Sequence, residues 1–195
     1  MERGYVISCH PDGESFTNNV ALRIIESLSQ SGIETDYVDL YHEDFDPSIS
    51  RDEYLRRFSF DPIVQHHVEL LEAATRIAIV HPDWWGAPPA RLKGWVDRVF
   101  RPGVAYEFEG EDFHQKEKVP LLAGKRAMVF TTTDESLNSD TPSFEQFWER
   151  VLNYCGVDGV SFCTLYDFHS LKTAERFDWL ASIDKNLRNW FDRPV

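Results

Sequence analysis

Five strand-length apolar runs alternate with five segments of helical periodicity from one end of this chain to the other, and no other feature narrows its fold as much. Arg3 to Cys9 is the first apolar run, and it stops at the turn-forming cluster His10-Pro11-Asp12-Gly13. Val20, Leu22, Ile24, Ile25 and Leu28 then recur near helical spacing up to the stop signal Ser31-Gly32. A second strand is expected over Ile33 to Leu40, a helix over Ile63 to Ala74 and a third strand over Arg76 to His81. Between them, Tyr41 to Asp61 is a polar, aromatic excursion with room only for short helices. Pro89 suits the first turn of a helix carrying Leu92, Trp95, Val96, Val99 and Phe100. Lys125 to Thr131 and Val160 to Leu165 complete the strands, each followed by a helix, at Phe144 to Leu152 and Leu171 to Trp190. Such alternation predicts a parallel sheet covered on both faces, because parallel neighbours need crossover connections. A ligand crevice is then expected beyond the carboxyl ends of the strands, at the loops after strands one, three and four.

Size and charge limit what such a domain does. The 195 residues, 42% of them hydrophobic, suffice for one core, and no linker or repeat divides residues 1–195. A formal charge of −13 without a basic stripe argues against nucleic acid and anionic lipid as partners. The same charge means that an anionic nucleotide must be held by backbone amides and helix dipoles. Cys9, Cys155 and Cys163 form no C-x-x-C pair and are read as buried apolar residues, with neither disulfide nor metal site implied. The amino terminus carries no secretory signature and no run reaches membrane-spanning length, so a cytoplasmic location is expected.

Two loops carry candidate chemistry. In His10-Pro11-Asp12-Gly13-Glu14-Ser15-Phe16-Thr17-Asn18, hydroxyls and amides open a helix directly after a strand, which suits a phosphate; Ser15 and Thr17 equally suit simple helix capping. In His81-Pro82-Asp83-Trp84-Trp85-Gly86-Ala87-Pro88-Pro89, two tryptophans at the sheet edge can wall a planar heterocycle, with Gly86 permitting close backbone approach; core or interface packing is the other reading of those rings. There is no G-x-x-x-x-G-K-[ST], G-x-G-x-x-G or G-x-S-x-G, which removes support for P-loop, Rossmann and hydrolase readings. His66 and His67 are adjacent on a helix, cannot form an i,i+4 metal pair, and are read as surface residues. Asp97 and Arg98 are read as a charged helix face or an interhelical ion pair.

The His-Pro-x-x-x-Ser-Phe start, Asp39-Leu40-Tyr41 followed by Phe45-Asp46-Pro47, and above all the unbroken stretch from Pro82 to Phe100 together resemble the flavodoxin-like NAD(P)H:quinone oxidoreductases. That group also includes modulator-of-drug-activity proteins and ancillary subunits of potassium-efflux systems. The resemblance is strong over residues 5–108, including Gly103-Val104-Ala105-Tyr106. It implies a three-layer α/β sandwich with a five-stranded parallel sheet in the order 2-1-3-4-5, a homodimer, and a non-covalent FAD or FMN reduced by NADPH or NADH. By that resemblance, His10, Ser15, Phe16 and Thr17 surround the flavin phosphate and ribityl chain. Pro82, Asp83, Trp84 and Trp85 border the isoalloxazine, and Thr131, Thr132, Thr133 and Asp134 complete the wall; Tyr106 contributes to an acceptor pocket across the dimer.

The implied activity is ping-pong hydride transfer from the nicotinamide through the flavin to a quinone or nitroaromatic acceptor, with no obligatory catalytic acid named. The alternative is a regulatory subunit of a membrane potassium-efflux transporter with little catalysis of its own; a flavodoxin-like one-electron carrier fits the acidic charge but not the motif at 82–100. Where many relatives have Thr-Thr-Gly-Gly, this chain has Thr131-Thr132-Thr133-Asp134-Glu135-Ser136. That departure adds side chains and negative charge at the expected flavin edge, and Asn138 to Thr141 supplies neither the Tyr nor the His that most relatives place there.

Overall fold

The computed structural model describes residues 2–110, 117–137 and 142–191. Its centre is a parallel sheet built from β1 (Arg3–Ser8), β2 (Glu34–Asp39), β3 (Arg76–Pro82), β6 (Arg126–Thr132) and β7 (Val160–Leu165), in the order β2-β1-β3-β6-β7. Counted along the parallel strands alone this is 2-1-3-4-5, the expected flavodoxin-like arrangement. Side chains alternate across it as a pleated sheet requires. Tyr5, Ile7, Ile77, Ile79, Ala127 and Val129 join one core with α3 (Pro62–Ala73), α4 (Ala90–Val99) and α5 (Ser143–Tyr154). Val6, Ala78, Val80, Met128 and Phe130 join the other with α1 (Phe16–Gln30) and α6 (Thr173–Phe191).

One further element meets the expectation of short helices and another exceeds what the sequence led us to expect. The excursion after β2 contains a short helix, α2 (Arg51–Arg56), capped by the Ser50 hydroxyl, which accepts from the Glu53 amide. An antiparallel ribbon pairs β4 (Tyr106–Glu109) with β5 (Glu117–Pro120). Each of its strands is four residues long and rich in charge, too short and too polar to stand out as a strand by alternation.

Two of the contacts that fasten the excursion to α4 are buried. A β-carbon on Gly94 would lie 2.3 Å from both the Cβ and the carbonyl oxygen of Pro47, so only glycine lets the helix approach this closely. One turn on, buried Arg98 donates from Nε and Nη2 to both carboxylate oxygens of buried Glu53, from Nη1 to the Asp46 carbonyl at 2.8 Å, and pairs with Asp61 at 3.2 Å. Arg98 is therefore an interhelical ion-pair residue, while Asp97 pairs with Lys93 along the exposed face of the same helix.

His67 corrects the surface reading: His66 is exposed, but His67 is fully buried. Trp95 Nε1–H at 2.9 Å and the Tyr5 hydroxyl at 2.6 Å both donate to His67 Nδ1, so its proton sits on Nε2 and is donated to Glu43 at 2.8 Å. Three polar side chains satisfy the ring, which makes burial tolerable.

The Arg98 network sets a clear expectation. Arg98→Ala leaves the Glu53 carboxylate buried without its partner and lowers unfolding stability by about 3–5 kcal/mol in urea titration. The double variant Arg98→Met with Glu53→Leu removes both charges and recovers most of that loss; a double variant as unstable as the single one refutes this account.

Candidate functional site

Parallel registration brings the ends of three strands level: Ser8 pairs with Val80, and Val80 to Pro82 pair with Phe130 to Thr132. The loops that follow β1, β3 and β6 enclose a cavity of about 350 Å³, with a fourth wall from the segment after β7. That volume lies at the lower end of the range for small-molecule sites. Its lining comprises His10, Ser15, Phe16, Thr17, Pro82, Asp83, Trp84, Thr132, Thr133 and Asp134, with Phe168 and His169.

The first loop is folded by its own side chains. The Asp12 amide donates to His10 Nδ1 at 3.0 Å, the Glu14 amide donates to Asp12 Oδ1, and Asn18 Nδ2 donates to the Gly13 carbonyl and to Asp39. Ser15 caps α1 by accepting from the Asn18 amide at 3.2 Å. The amides of Phe16 and Thr17 precede the first intrahelical bond, which runs from Asn19 to Ser15, and have no partner among the described residues. Capping therefore does not use up the turn: the hydroxyl satisfies one amide while two others stay open at the positive end of a 15-residue helix, where an anion could bind.

The second loop is braced against the third. The Asp83 amide donates to the Thr132 carbonyl at 2.8 Å, and the Thr133 hydroxyl donates to Asp83 Oδ2 at 2.9 Å. Asp83 Oδ1 is buried without a partner among the described residues, an acceptor on a residue of the cavity lining that a ligand N–H could satisfy. The Trp84 ring packs 6.3 Å from His10 across the cavity. Trp85 does not line it: its ring is fully exposed and its backbone takes φ +63°, which a bulky residue rarely adopts. Gly86 follows at φ +73°, completing a left-handed turn that glycine alone adopts without strain.

Thr131 also stays outside this lining. It is buried beneath the floor beside His81, its hydroxyl without a partner among the described residues. His81 donates from Nδ1 to the Pro82 carbonyl at 2.8 Å and accepts from Trp148 Nε1 at 2.8 Å, which fixes the neutral tautomer. Burial pushes its pKa down to about 4. It is a support for the floor, not a proton donor at neutral pH.

Phe168 and His169 escaped the sequence reading. They belong to a one-turn 3-10 helix, Phe168–Ser170, in a segment that carries no motif; their nearness to Asp134 depends on β6 and β7 being neighbours. The two segments are laced together, with Thr133 donating to the Leu165 carbonyl, Phe168 to the Thr133 carbonyl and Asp167 to the Glu135 carbonyl. Asn138 to Thr141 lie outside the described residues. Tyr106 lies elsewhere, lining a second cavity of about 560 Å³ with Tyr54, Leu55, Phe100 and Phe108.

No thiol serves the site. Cys9, Cys155 and Cys163 are buried, and burial pushes the latter two up to about 11, which keeps them protonated. Among the described residues, no cluster of three or more His, Cys, Asp or Glu is placed to hold a metal ion, and no helix is long and apolar enough to cross a membrane.

The floor generates a pH prediction. Because the folded-state pKa of His81 lies below its unfolded value, its contribution to stability is complete above about pH 6.5 and is lost as pH falls toward 4, a change of about 3 kcal/mol. Urea midpoints measured between pH 7 and pH 4.5 should fall more steeply for the wild type than for His81→Phe. Parallel pH profiles rule this role out.

The sequence as a whole agrees with this geometry. A profile of the flavodoxin-like fold matches residues 3–187. An uncharacterized NAD(P)H oxidoreductase of Haemophilus influenzae is 30% identical over 185 residues, covering 88% of this chain and 87% of that protein. Among solved structures, an NAD(P)H:quinone oxidoreductase from Methanothermobacter marburgensis superposes with TM-score 0.79 at 24% identity, covering 100% of this chain and 99% of that one. An FMN-dependent NADH-azoreductase from Bacillus anthracis, solved with FMN, gives TM-score 0.76 at 15% identity over 99% and 100% of the two chains. With its sheet order, its edge cavity and these matches, the chain belongs to the flavodoxin-like fold family of NAD(P)H:quinone oxidoreductases.

Proposed function

We propose that this protein is a flavin-dependent NAD(P)H:quinone oxidoreductase whose flavin occupies the cavity at the carboxyl edge of the sheet. The observation that carries the reading is the convergence of open α1 amides, the unpaired Asp83 Oδ1 and the Trp84 ring on a single cavity. Each matches a part of a flavin: the amides a phosphate, the carboxylate oxygen a ring N–H, and the indole the rim of a planar heterocycle. The names of the H. influenzae relative and the M. marburgensis structure support NAD(P)H and a quinone as donor and acceptor, and the FMN held by the B. anthracis structure supports the cofactor.

When bound, the flavin supplies the hydride chemistry. The protein supplies position. Ser15, Phe16 and Thr17 anchor the phosphate end without a lysine, Pro82, Asp83 and Trp84 fix the ring edge, and Thr132 and Thr133 close the opposite side. Donor and acceptor then use one opening in turn, which is ping-pong kinetics. A homodimer belongs to the same reading, and Ile49, Tyr54 and Leu55, exposed by 44%, 70% and 59%, form an apolar surface at the second cavity for a second copy to cover.

The test begins with the visible spectrum after incubation with excess FMN or FAD and desalting. Retained flavin absorbance that bleaches anaerobically with NADH or NADPH and returns on adding a quinone supports the reading and identifies both cofactors. A colourless protein after desalting refutes it. Ser15→Ala should weaken FMN retention more than riboflavin retention, while costing about 1 kcal/mol of stability through the lost cap.

A further inference from the structure

The side chains that replace glycine after β6 do not merely crowd the cavity, because Asp134 is held by a partner from the next loop. His169 donates to Asp134 twice, from its amide to Oδ1 at 2.9 Å and from Nδ1 to Oδ2 at 2.5 Å. The amide bond first, together with the ring, holds the Asp134 carboxyl below the usual carboxylate range. The bidentate geometry commits Nδ1 to carrying a proton. Nε2 has no partner among the described residues, and His169, its side chain 78% exposed, lines the same cavity as Trp84 and His10.

The state of Nε2 therefore decides what the wall offers a ligand. In the neutral ring Nδ1 keeps its proton for Asp134, and Nε2 presents a lone pair. In the protonated ring Nε2 becomes a donor, and the pair carries no net charge instead of −1. We propose that Asp134 and His169 form a proton-operated grip on the cofactor: the protonated pair holds an anionic, oxygen-rich ligand, and the neutral imidazole releases it. This rests on the flavin reading above and adds a residue pair and a pH dependence to it. The other charges facing the pair are Asp83 after β3, Glu135 beside Asp134, Asp167 before the 3-10 turn, His10 after β1, and Arg176 of α6, which lies 4.3 Å over the Phe168 ring and adds positive field at Asp134. None of them contacts His169 Nε2, so substitution of His169 isolates the grip.

The experiment measures FMN and riboflavin dissociation constants by flavin fluorescence quenching from pH 5.5 to 8.5 for the wild type, His169→Gln and Asp134→Asn. One charge acting across about 8 Å of partly solvated site predicts that wild-type affinity falls about three- to ten-fold as pH rises. His169→Gln should flatten that fall; pH dependence surviving in it belongs to His10 or to the phosphate itself. Dependence seen with both ligands places the grip on the ring, and dependence seen with FMN alone places it on the phosphate. Asp134→Asn, which removes the carboxylate that orients the ring, should weaken FMN binding at pH 5.5 toward the His169→Gln value. A wild-type profile unchanged in His169→Gln overturns the grip while leaving the flavin reading intact. Absence of flavin binding at every pH overturns both.

Discussion

The uniform direction of the sheet is the constraint on which everything else depends. Five parallel strands with level registers put every carboxyl end on one edge, so loops far apart in sequence emerge side by side. The order reverses at β1, whose neighbours are β2 on one side and β3 on the other, and the loops after β1 and β3 part there to leave a crevice. Both faces must be covered by helices to sustain such a sheet, which is why β3 is buried from Arg76 to Pro82. The cavity is thus a by-product of how the core is closed.

Electrostatically the site works against its surroundings. A chain of charge −13 has no long-range attraction to offer an anion, and the described residues that line the cavity include neither lysine nor arginine. Its attractive groups are short-range: two amides at a helix start, a hydroxyl cap, and imidazoles whose orientation is set by Asp12 and Asp134. Carboxylates here act less as charges toward a ligand than as fixtures for their neighbours. Asp83 combines both roles, one oxygen bound to Thr133 and the other left open.

The strands and long helices were legible because each obeys a local rule. The run at 77–80 is continuously apolar as a central parallel strand requires, and Ser31-Gly32 ends α1 where the sequence places a stop, with Gly32 at φ +75°. Ten of the twelve candidate binding residues line the cavity, since the loops after strands one, three and four follow from topology. Trp85 and Thr131 do not. Position in a motif says nothing about which way a left-handed turn throws an indole, or whether a threonine at a strand end faces floor or opening. His67 was misjudged for a related reason: polarity suggested the surface, but the Tyr5, Trp95 and Glu43 partners that make burial possible come from β1, α4 and the excursion. Phe168 and His169 needed knowledge that β6 and β7 are adjacent, which no local pattern contains.

The tip of the loop after β3 gives the molecule an optical property. Of the six tryptophans, Trp95, Trp148 and Trp190 are enclosed in the core, and Trp179 is half-buried, while Trp85 stands wholly in water on a strained turn beside the cavity and Trp84 is exposed at its rim. An indole in water emits at longer wavelength than one in a dry core. The red side of the protein's own fluorescence therefore originates at the site, and whatever settles over that loop, a planar ligand or a second subunit, changes the colour of its light before it changes anything else that is easily seen.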